Sequence, residues 1–119
     1  EQKRFRFEKQ NFKDIKLEPT NLLVANFSIP FCPKDCFQEL WKRITNSILK
    51  DGYFVGNFFG LNDAWKDKEE IIFLSKEQVL KLFEDSFEMV EFHEIEKDLT
   101  TGLGNIKHWH LYNIIAKKR

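Results

Sequence analysis

The chain has 119 residues, a length that suits one domain with a single hydrophobic core. Its 19 basic and 19 acidic side chains balance, so no long-range electrostatic field draws the protein to nucleic acid or to an anionic membrane. An aromatic content of 15% argues against disorder. No segment approaches the roughly 18 apolar residues of a membrane span, and no apolar signal-peptide segment follows the charged start. We therefore expect a folded cytoplasmic protein without a nucleic-acid or membrane partner.

The two cysteines do not form a metal-binding pattern. Cys32 and Cys36 are separated by three residues, and no second cysteine or histidine pair has the spacing of a structural zinc site. We predict free thiols in a reducing compartment and no metal site.

Two strands are predicted in the first part of the chain. Phe5 and Phe7 alternate with charged residues, which is typical of a strand with one solvated face, and this strand should end near Gln10. Leu22 to Ala25 form a continuous apolar run, which indicates a strand buried on both faces, as in a parallel sheet.

A helix and a third strand follow. From Lys34 onward the apolar residues have the spacing of an amphipathic helix, and Gly52 lies where this helix should stop. Tyr53 to Phe59 read as a second buried strand, and Leu61 to Lys68 as a loop. The apolar positions of the helix are Phe37, Leu40, Trp41, Ile44 and Ile48.

The last part of the chain predicts one more helix and a hairpin. Ser75 and Gln78 have the spacing of a capping box, so a helix should begin here and run to about Asp85. The hairpin consists of a strand from Met89 to Glu96, a turn from Thr100 to Asn105 and a strand from Lys107 to Lys117. The whole chain is then one α/β domain over residues 1–119, with parallel strands, crossover helices and a C-terminal antiparallel hairpin.

Four sequence blocks resemble class I S-adenosylmethionine-dependent methyltransferases, and among these the tellurite-resistance type that acts on small molecules. The blocks are Val24-Ala25-Asn26-Phe27-Ser28-Ile29-Pro30-Phe31-Cys32, Gly52-Tyr53-Phe54-Val55-Gly56-Asn57-Phe58-Phe59-Gly60, Asn62-Asp63-Ala64-Trp65 and Lys107-His108-Trp109-His110. The resemblance implies a partial Rossmann-like sheet. In the family the strand order is 3-2-1-4-5-7-6, and the present strands would correspond to the third through the seventh.

This correspondence leaves out the first two strands of the family and the glycine-rich loop that approaches the cofactor. The strand that begins at Phe5 would then have lost its native neighbours, and the Leu22 strand would form an uncovered apolar edge. We therefore expect either a homo-oligomer, such as a dimer, or an N-terminal half that supplies the missing strands.

The resemblance also assigns residues to S-adenosylmethionine. Asn11 and Phe12 follow the first strand, where the family contacts adenine, although Asn11 equally suits an ordinary turn. Asn26 and Phe27 end the second strand, where the family places the transferred methyl group. A strand-ending asparagine is also a common turn former.

Five residues are candidates for contact with a small-molecule methyl acceptor. Phe31 either lines a pocket or packs on the next helix, and Asn57 ends the third strand at the same sheet edge. Asp63 and Trp65 either cover the pocket or dock on the protein's own surface. His108 begins the last strand, on the side that opens toward the pocket.

His108 and His110 lie two apart on a strand and therefore point to one face, with Glu94 or Glu96 across the hairpin. This arrangement suits a base or a metal ligand, or simply a pair of hydrogen-bonded sheet histidines. We assign no catalytic residue.

The predicted function is S-adenosylmethionine-dependent methyl transfer to a small molecule by the parent enzyme, with an isolated fragment that is inactive. The alternative is a non-catalytic interaction or assembly module on the same scaffold. A third hypothesis, nucleic-acid binding through the basic chain ends, is disfavoured by the zero net charge.

Overall fold

The computed structural model describes the backbone of residues 2–4 and all of residues 17–119. The predicted strand from Phe5 to Gln10 lies outside these residues. In the described chain the elements follow the predicted order of strand, strand, helix, strand, helix, strand and strand. They are β1 (Gln2–Arg4), β2 (Thr20–Ala25), α1 (Phe37–Ser47), β3 (Ile48–Phe59), α2 (Lys76–Phe83), β4 (Phe87–Thr100) and β5 (Ile106–Lys118), with two short 3-10 turns at Ile29–Phe31 and Lys34–Cys36.

The strands form one mixed sheet in the order β1-β2-β3-β5-β4. β1, β2 and β3 are parallel, and α1 is the crossover between β2 and β3. β5 lies between β3 and β4 and is antiparallel to both. The predicted parallel strands and C-terminal antiparallel hairpin are thereby confirmed, and the architecture is that of a partial Rossmann-like sheet.

The edge of β2 is covered, contrary to the expectation from the sequence. β1 pairs with it in parallel register, from Gln2 opposite Leu22 to Arg4 opposite Val24. The backbone groups of β2 are therefore bonded on that side by the chain itself, and the prediction of an uncovered edge at Leu22 is wrong.

The end of α1 also differs from the prediction. The helix stops at Ser47, because Ile48 is extended and pairs with Thr20 at the start of β3. The Lys118 ammonium donates to the carbonyl oxygens of Thr45 and Ile48 and so satisfies the helix C-terminus. Gly52 is not a helix stop: a Cβ there would lie 2.8 Å from the carbonyl oxygen of Asn21, so glycine permits close approach of two strands.

The start of α2 confirms the capping box. The Gln78 amide donates to Ser75 Oγ at 3.1 Å, and the Ser75 amide donates to Gln78 Oε1 at 2.8 Å. α2 ends at Phe83, two residues before the predicted Asp85. Neither helix of the described chain has the length and hydrophobicity needed to cross a membrane.

The two faces of the sheet have different surroundings. One face packs against both α1 and α2 and forms the main core; we call it the helix face. The opposite face is formed by the alternate residues of the same strands, and we call it the groove face. The helix face carries Phe54, Phe58, Tyr112 and Ile114, and the groove face carries Val55, Asn57, Leu111 and Asn113.

Candidate functional site

The connection after β2 holds a strained residue at the carboxyl end of the parallel strands. Phe27 has a φ of 51°, a left-handed conformation that is unfavourable for a bulky side chain. Its amide donates to Oδ1 of Asn57 at 2.7 Å, and Asn57 is a buried residue of β3. Phe27 itself is 48% exposed. The buried asparagine thus holds an exposed aromatic side chain at the edge where α/β sheets bind ligands.

A groove of about 680 Å³ opens at this edge on the groove face, within the range of small-molecule sites. Among the described residues, its polar side chains are three asparagines, a lysine, a threonine and the indole of Trp109. These residues include no carboxylate and no imidazole. The lining residues are Asn26, Phe27, Asn57, Ile95, Lys97, Leu99, Thr100, Trp109, Leu111 and Asn113. The groove therefore suits binding and orientation of a ligand more than proton transfer.

An aromatic cluster supports the end of the groove. The Phe59 ring lies 6.1 Å from that of Phe27, 5.9 Å from that of Phe31 and 5.9 Å from that of Trp65. Trp109 lies 5.5 Å from Trp65 and 6.2 Å from Phe27. Phe31 and Trp65 therefore pack behind the groove and do not line it, and Phe27 and Trp109 form its aromatic surface.

Asp63 is bound within the protein. Its carboxylate is fully buried and pairs with the ammonium of Lys107, which is 4% exposed. The carboxylate also accepts the backbone amides of Trp65 at 3.0 Å and His110 at 2.9 Å. The Lys107 ammonium in turn lies 3.7 Å from the centre of the Trp109 ring. Asp63 thus fixes the loop after β3 against the hairpin and has no surface available to a ligand.

His108 lies on the other side of the sheet from the groove. Trp109 and Leu111 line the groove, so the alternate residues His108 and His110 point to the helix face. His108 contacts Glu96 at 2.9 Å and Asp98 at 2.8 Å, one carboxylate on each ring nitrogen. These hydrogen bonds raise the pKa of His108, the bond to Glu96 contributing most, and the bond to His108 lowers the pKa of Glu96.

His110 has one tautomer compatible with its contacts. The Asn62 amide donates to Nδ1 at 3.0 Å, so Nε2 carries the proton and donates to Glu94 at 2.7 Å. A Cβ on Gly60 would overlap the imidazole ring, so glycine at that position makes room for it.

This tautomer bears on metal binding. Ligand atoms of Glu94, Glu96 and His110 lie within 4.8 Å of one another. A metal ion needs an unprotonated imidazole nitrogen, whereas Nδ1 of His110 is used by an amide and Nε2 is protonated. These three residues therefore suit a hydrogen bond between His110 and Glu94 better than a metal centre.

The remaining predictions concern the two cysteines and the adenine contacts. Cys32 and Cys36 are free thiols, and burial raises the pKa of Cys32 to about 12, with smaller contributions from Cys36 and Asp35. The Cys32 thiol donates to the carbonyl oxygen of Pro33 at 3.3 Å and is poorly suited to act as a nucleophile. Asn11 and Phe12 lie outside the described residues.

Seven of the groove residues were not predicted from the sequence: Ile95, Lys97, Leu99, Thr100, Trp109, Leu111 and Asn113. They come from the hairpin strands and reach the groove through the pairing of β3 with β5 and of β5 with β4. Trp109 was present in one of the family-like blocks, and its alternation with His108 and His110 was the signal that could have found it.

Solved structures that share this fold include methyltransferases. TehB from Haemophilus influenzae superposes with a TM-score of 0.71 at 14% sequence identity, over 94% of this chain and 40% of that chain. A SAM-dependent methyltransferase from Methanosarcina mazei gives a TM-score of 0.66 at 17% identity, over 91% of this chain and 64% of that chain. The N-methyltransferase NodS from Bradyrhizobium japonicum, in complex with S-adenosyl-L-homocysteine, gives a TM-score of 0.63 at 10% identity, over 90% of this chain and 50% of that chain.

The chain has the fold of part of a class I S-adenosylmethionine-dependent methyltransferase domain. It spans between 40% and 64% of the length of these three structures. No family model and no curated protein sequence matches it.

Proposed function

We propose that the chain is the carboxyl-terminal part of a domain that transfers a methyl group from S-adenosylmethionine to a small molecule. The groove at the carboxyl ends of β2 and β3 is the observation that carries this proposal. It joins the strained Phe27, the buried Asn57 and an apolar wall at one edge of the sheet.

The composition of the groove supports this chemistry. S-adenosylmethionine supplies a methyl group already activated on a sulfonium centre, so the protein has mainly to orient the acceptor and exclude water. Asn26, Asn57 and Asn113 offer neutral hydrogen-bonding groups, while Phe27 and Trp109 offer apolar surface. Such a site needs a general base only for an acceptor that must lose a proton.

The candidate residues have different roles under this proposal. Asn26, Phe27 and Asn57 border the reacting end, and Asn11 and Phe12 contact adenine. Phe31 and Trp65 support the groove from behind. Asp63 and His108 act indirectly, Asp63 by fixing the loop after β3 and His108 by joining β5 to β4.

The test uses the protein encoded by the complete gene, including any coding sequence before Glu1. We expect calorimetric titration to show binding of S-adenosylhomocysteine. Phe27→Asn, which retains a residue tolerant of the left-handed backbone, should weaken this binding about tenfold. Val90→Ala, at an exposed position of β4 outside the groove, should not change it. If the complete protein binds neither S-adenosylmethionine nor S-adenosylhomocysteine, the proposal is wrong.

A second candidate function is an interaction module, and the tip of the hairpin favours it. Leu103 is 91% exposed and Ile106 is 78% exposed. Apolar side chains at such positions are candidates for contact with another protein. Sedimentation of the chain and of its Leu103→Ser/Ile106→Ser variant tests this alternative. Self-association of the chain that is lost in the variant would support the interaction module. If both proteins are monomers, the hairpin tip does not join two copies of the chain.

A further inference from the structure

A second pocket lies near the same end of the sheet, and none of the described residues lines both this pocket and the groove. It has a volume of about 390 Å³, enough for a small organic molecule. The connection from β2 to α1 forms one side and the segment between β3 and α2 forms the other. The lining residues are Lys34, Phe37, Leu61, Lys66, Ile72 and Phe73.

The floor of this second pocket is apolar and held in place. Phe37 and Ile72 are buried residues of the main core, and the Phe73 ring packs 5.8 Å from that of Phe59. The Ile72 amide donates to the carbonyl oxygen of Pro30 at 2.7 Å, which ties the two sides together. The pocket is therefore formed before any ligand arrives, so binding costs little ordering of the chain.

The rim of the second pocket is positively charged. Lys34 and Lys66 are both exposed and line the pocket from opposite sides. Neither ammonium forms an ion pair with the described residues 17–119. Within residues 17–119 no carboxylate lines the pocket, although Asp35 and Asp67 are sequence neighbours of the lysines.

The helix that follows adds to this positive potential. α1 begins at Phe37, itself a lining residue, so the positive end of the helix dipole lies at the second pocket. Two ammonium groups and a helix N-terminus above an apolar floor attract an anion that carries an apolar body. A neutral ligand would gain only the contact with the apolar floor, and a fully polar anion would gain only the attraction of the charges.

We infer that the second pocket binds a small amphipathic anion, such as a carboxylate on a short aromatic or aliphatic body. The anionic group lies between Lys34 and Lys66, and the apolar body covers Phe37, Ile72 and Phe73. The described residues that line this pocket differ from those that line the groove, so the inference does not rest on the proposed methyl transfer.

Calorimetry with a matched pair of probes tests this inference. We expect the chain to bind 4-phenylbutyrate and to bind the neutral 4-phenyl-1-butanol at least fivefold more weakly. Lys34→Gln and Lys66→Gln should each weaken 4-phenylbutyrate binding about threefold to fivefold, as expected for an exposed charge pair. Lys42→Gln, which removes the same charge from the exposed surface of α1, should have no effect.

Three results would each contradict a role for the two lysines at the second pocket. They are equal binding of the alcohol and the acid, equal effects of Lys42→Gln and Lys34→Gln, and the absence of binding at millimolar probe. All three lysines are exposed, so circular dichroism should show unchanged folding in the variants. Addition of S-adenosylhomocysteine should leave the affinity for 4-phenylbutyrate unchanged, whether or not the methyltransferase proposal holds.

Discussion

The helix face and the groove face are built from alternate residues of the same strands, yet they serve different purposes. On the helix face, Phe54 and Phe58 pack edge to face with Trp41, whose indole N–H donates to the carbonyl oxygen of Leu82. On the groove face, the intervening Asn57 uses its buried amide to hold a strained backbone. One strand can therefore contribute packing energy through one set of side chains and line a groove through the other.

The largest expected effect is on the helix face. Phe58→Ala removes a fully buried ring that contacts Phe37, Trp41 and Phe83, and we expect the free energy of unfolding to fall by about 4 kcal/mol. Tyr53→Ala changes an exposed position of the same strand on the groove face and should cost less than about 1 kcal/mol. Urea denaturation of both variants measures the difference, and similar losses would contradict the division between the faces.

A somewhat smaller loss of stability is expected when the buried ion pair of Asp63 and Lys107 on the groove face is broken. Asp63→Asn leaves the Lys107 ammonium without its counter-charge among aromatic rings, so we expect a loss of about 3 kcal/mol. The double variant Asp63→Asn/Lys107→Met removes both charges and should recover part of this loss. If the double variant is no more stable than Asp63→Asn, the pairing does not explain the effect.

The contact between Asn57 and Phe27 should have a moderate effect. Asn57→Ala leaves the Phe27 amide without its acceptor, and we expect a loss of about 1 kcal/mol. Phe27→Gly relieves a left-handed conformation worth about 1–2 kcal/mol but loses the ring contacts with Phe59 and Trp109, so its net effect should be near zero. Urea denaturation measures both effects, and an Asn57→Ala variant as stable as the unchanged protein would show that Asn57 does not hold the backbone of Phe27.

Local signals in the sequence predicted most of the fold. The capping box at Ser75 and Gln78 depends on adjacent residues and was found in the structure. The end of α1 was missed because Ile48 continues the helical spacing of apolar residues. What ends the helix is the pairing of Ile48 with Thr20 and the contact from Lys118, both distant in sequence.

The residues of the candidate site also differ in whether local sequence signals could predict them. Asn26, Phe27 and Asn57 meet because the carboxyl ends of parallel strands share an edge, a rule that can be applied to the sequence. Trp109 and His108 were harder to assign. Their alternation shows that they face opposite sides, but only the register of β5 against β3 decides which of them reaches the groove.

The smallest expected effect is a pH dependence on the helix-face side of the hairpin. Glu96 and Asp98 raise the pKa of His108 above its ordinary value of 6.5. A raised pKa in the folded state means that the stabilisation is complete below the unfolded pKa and is lost as the pH rises through the folded pKa. We expect a small fall in the urea midpoint as the pH rises through the pKa of folded His108, which lies above 6.5.

His108→Gln should remove this fall, whereas His93→Gln, a more exposed histidine of β4, should retain it. A proton NMR titration checks the cause directly, because the imidazole signal of His108 should titrate above 6.5. A pKa of His108 at or below 6.5 would mean that Glu96 and Asp98 do not stabilise its charged form. The hairpin would then depend on its backbone pairing and on other cross-strand contacts, such as those of His110 with Glu94 and of Phe92 with Tyr112.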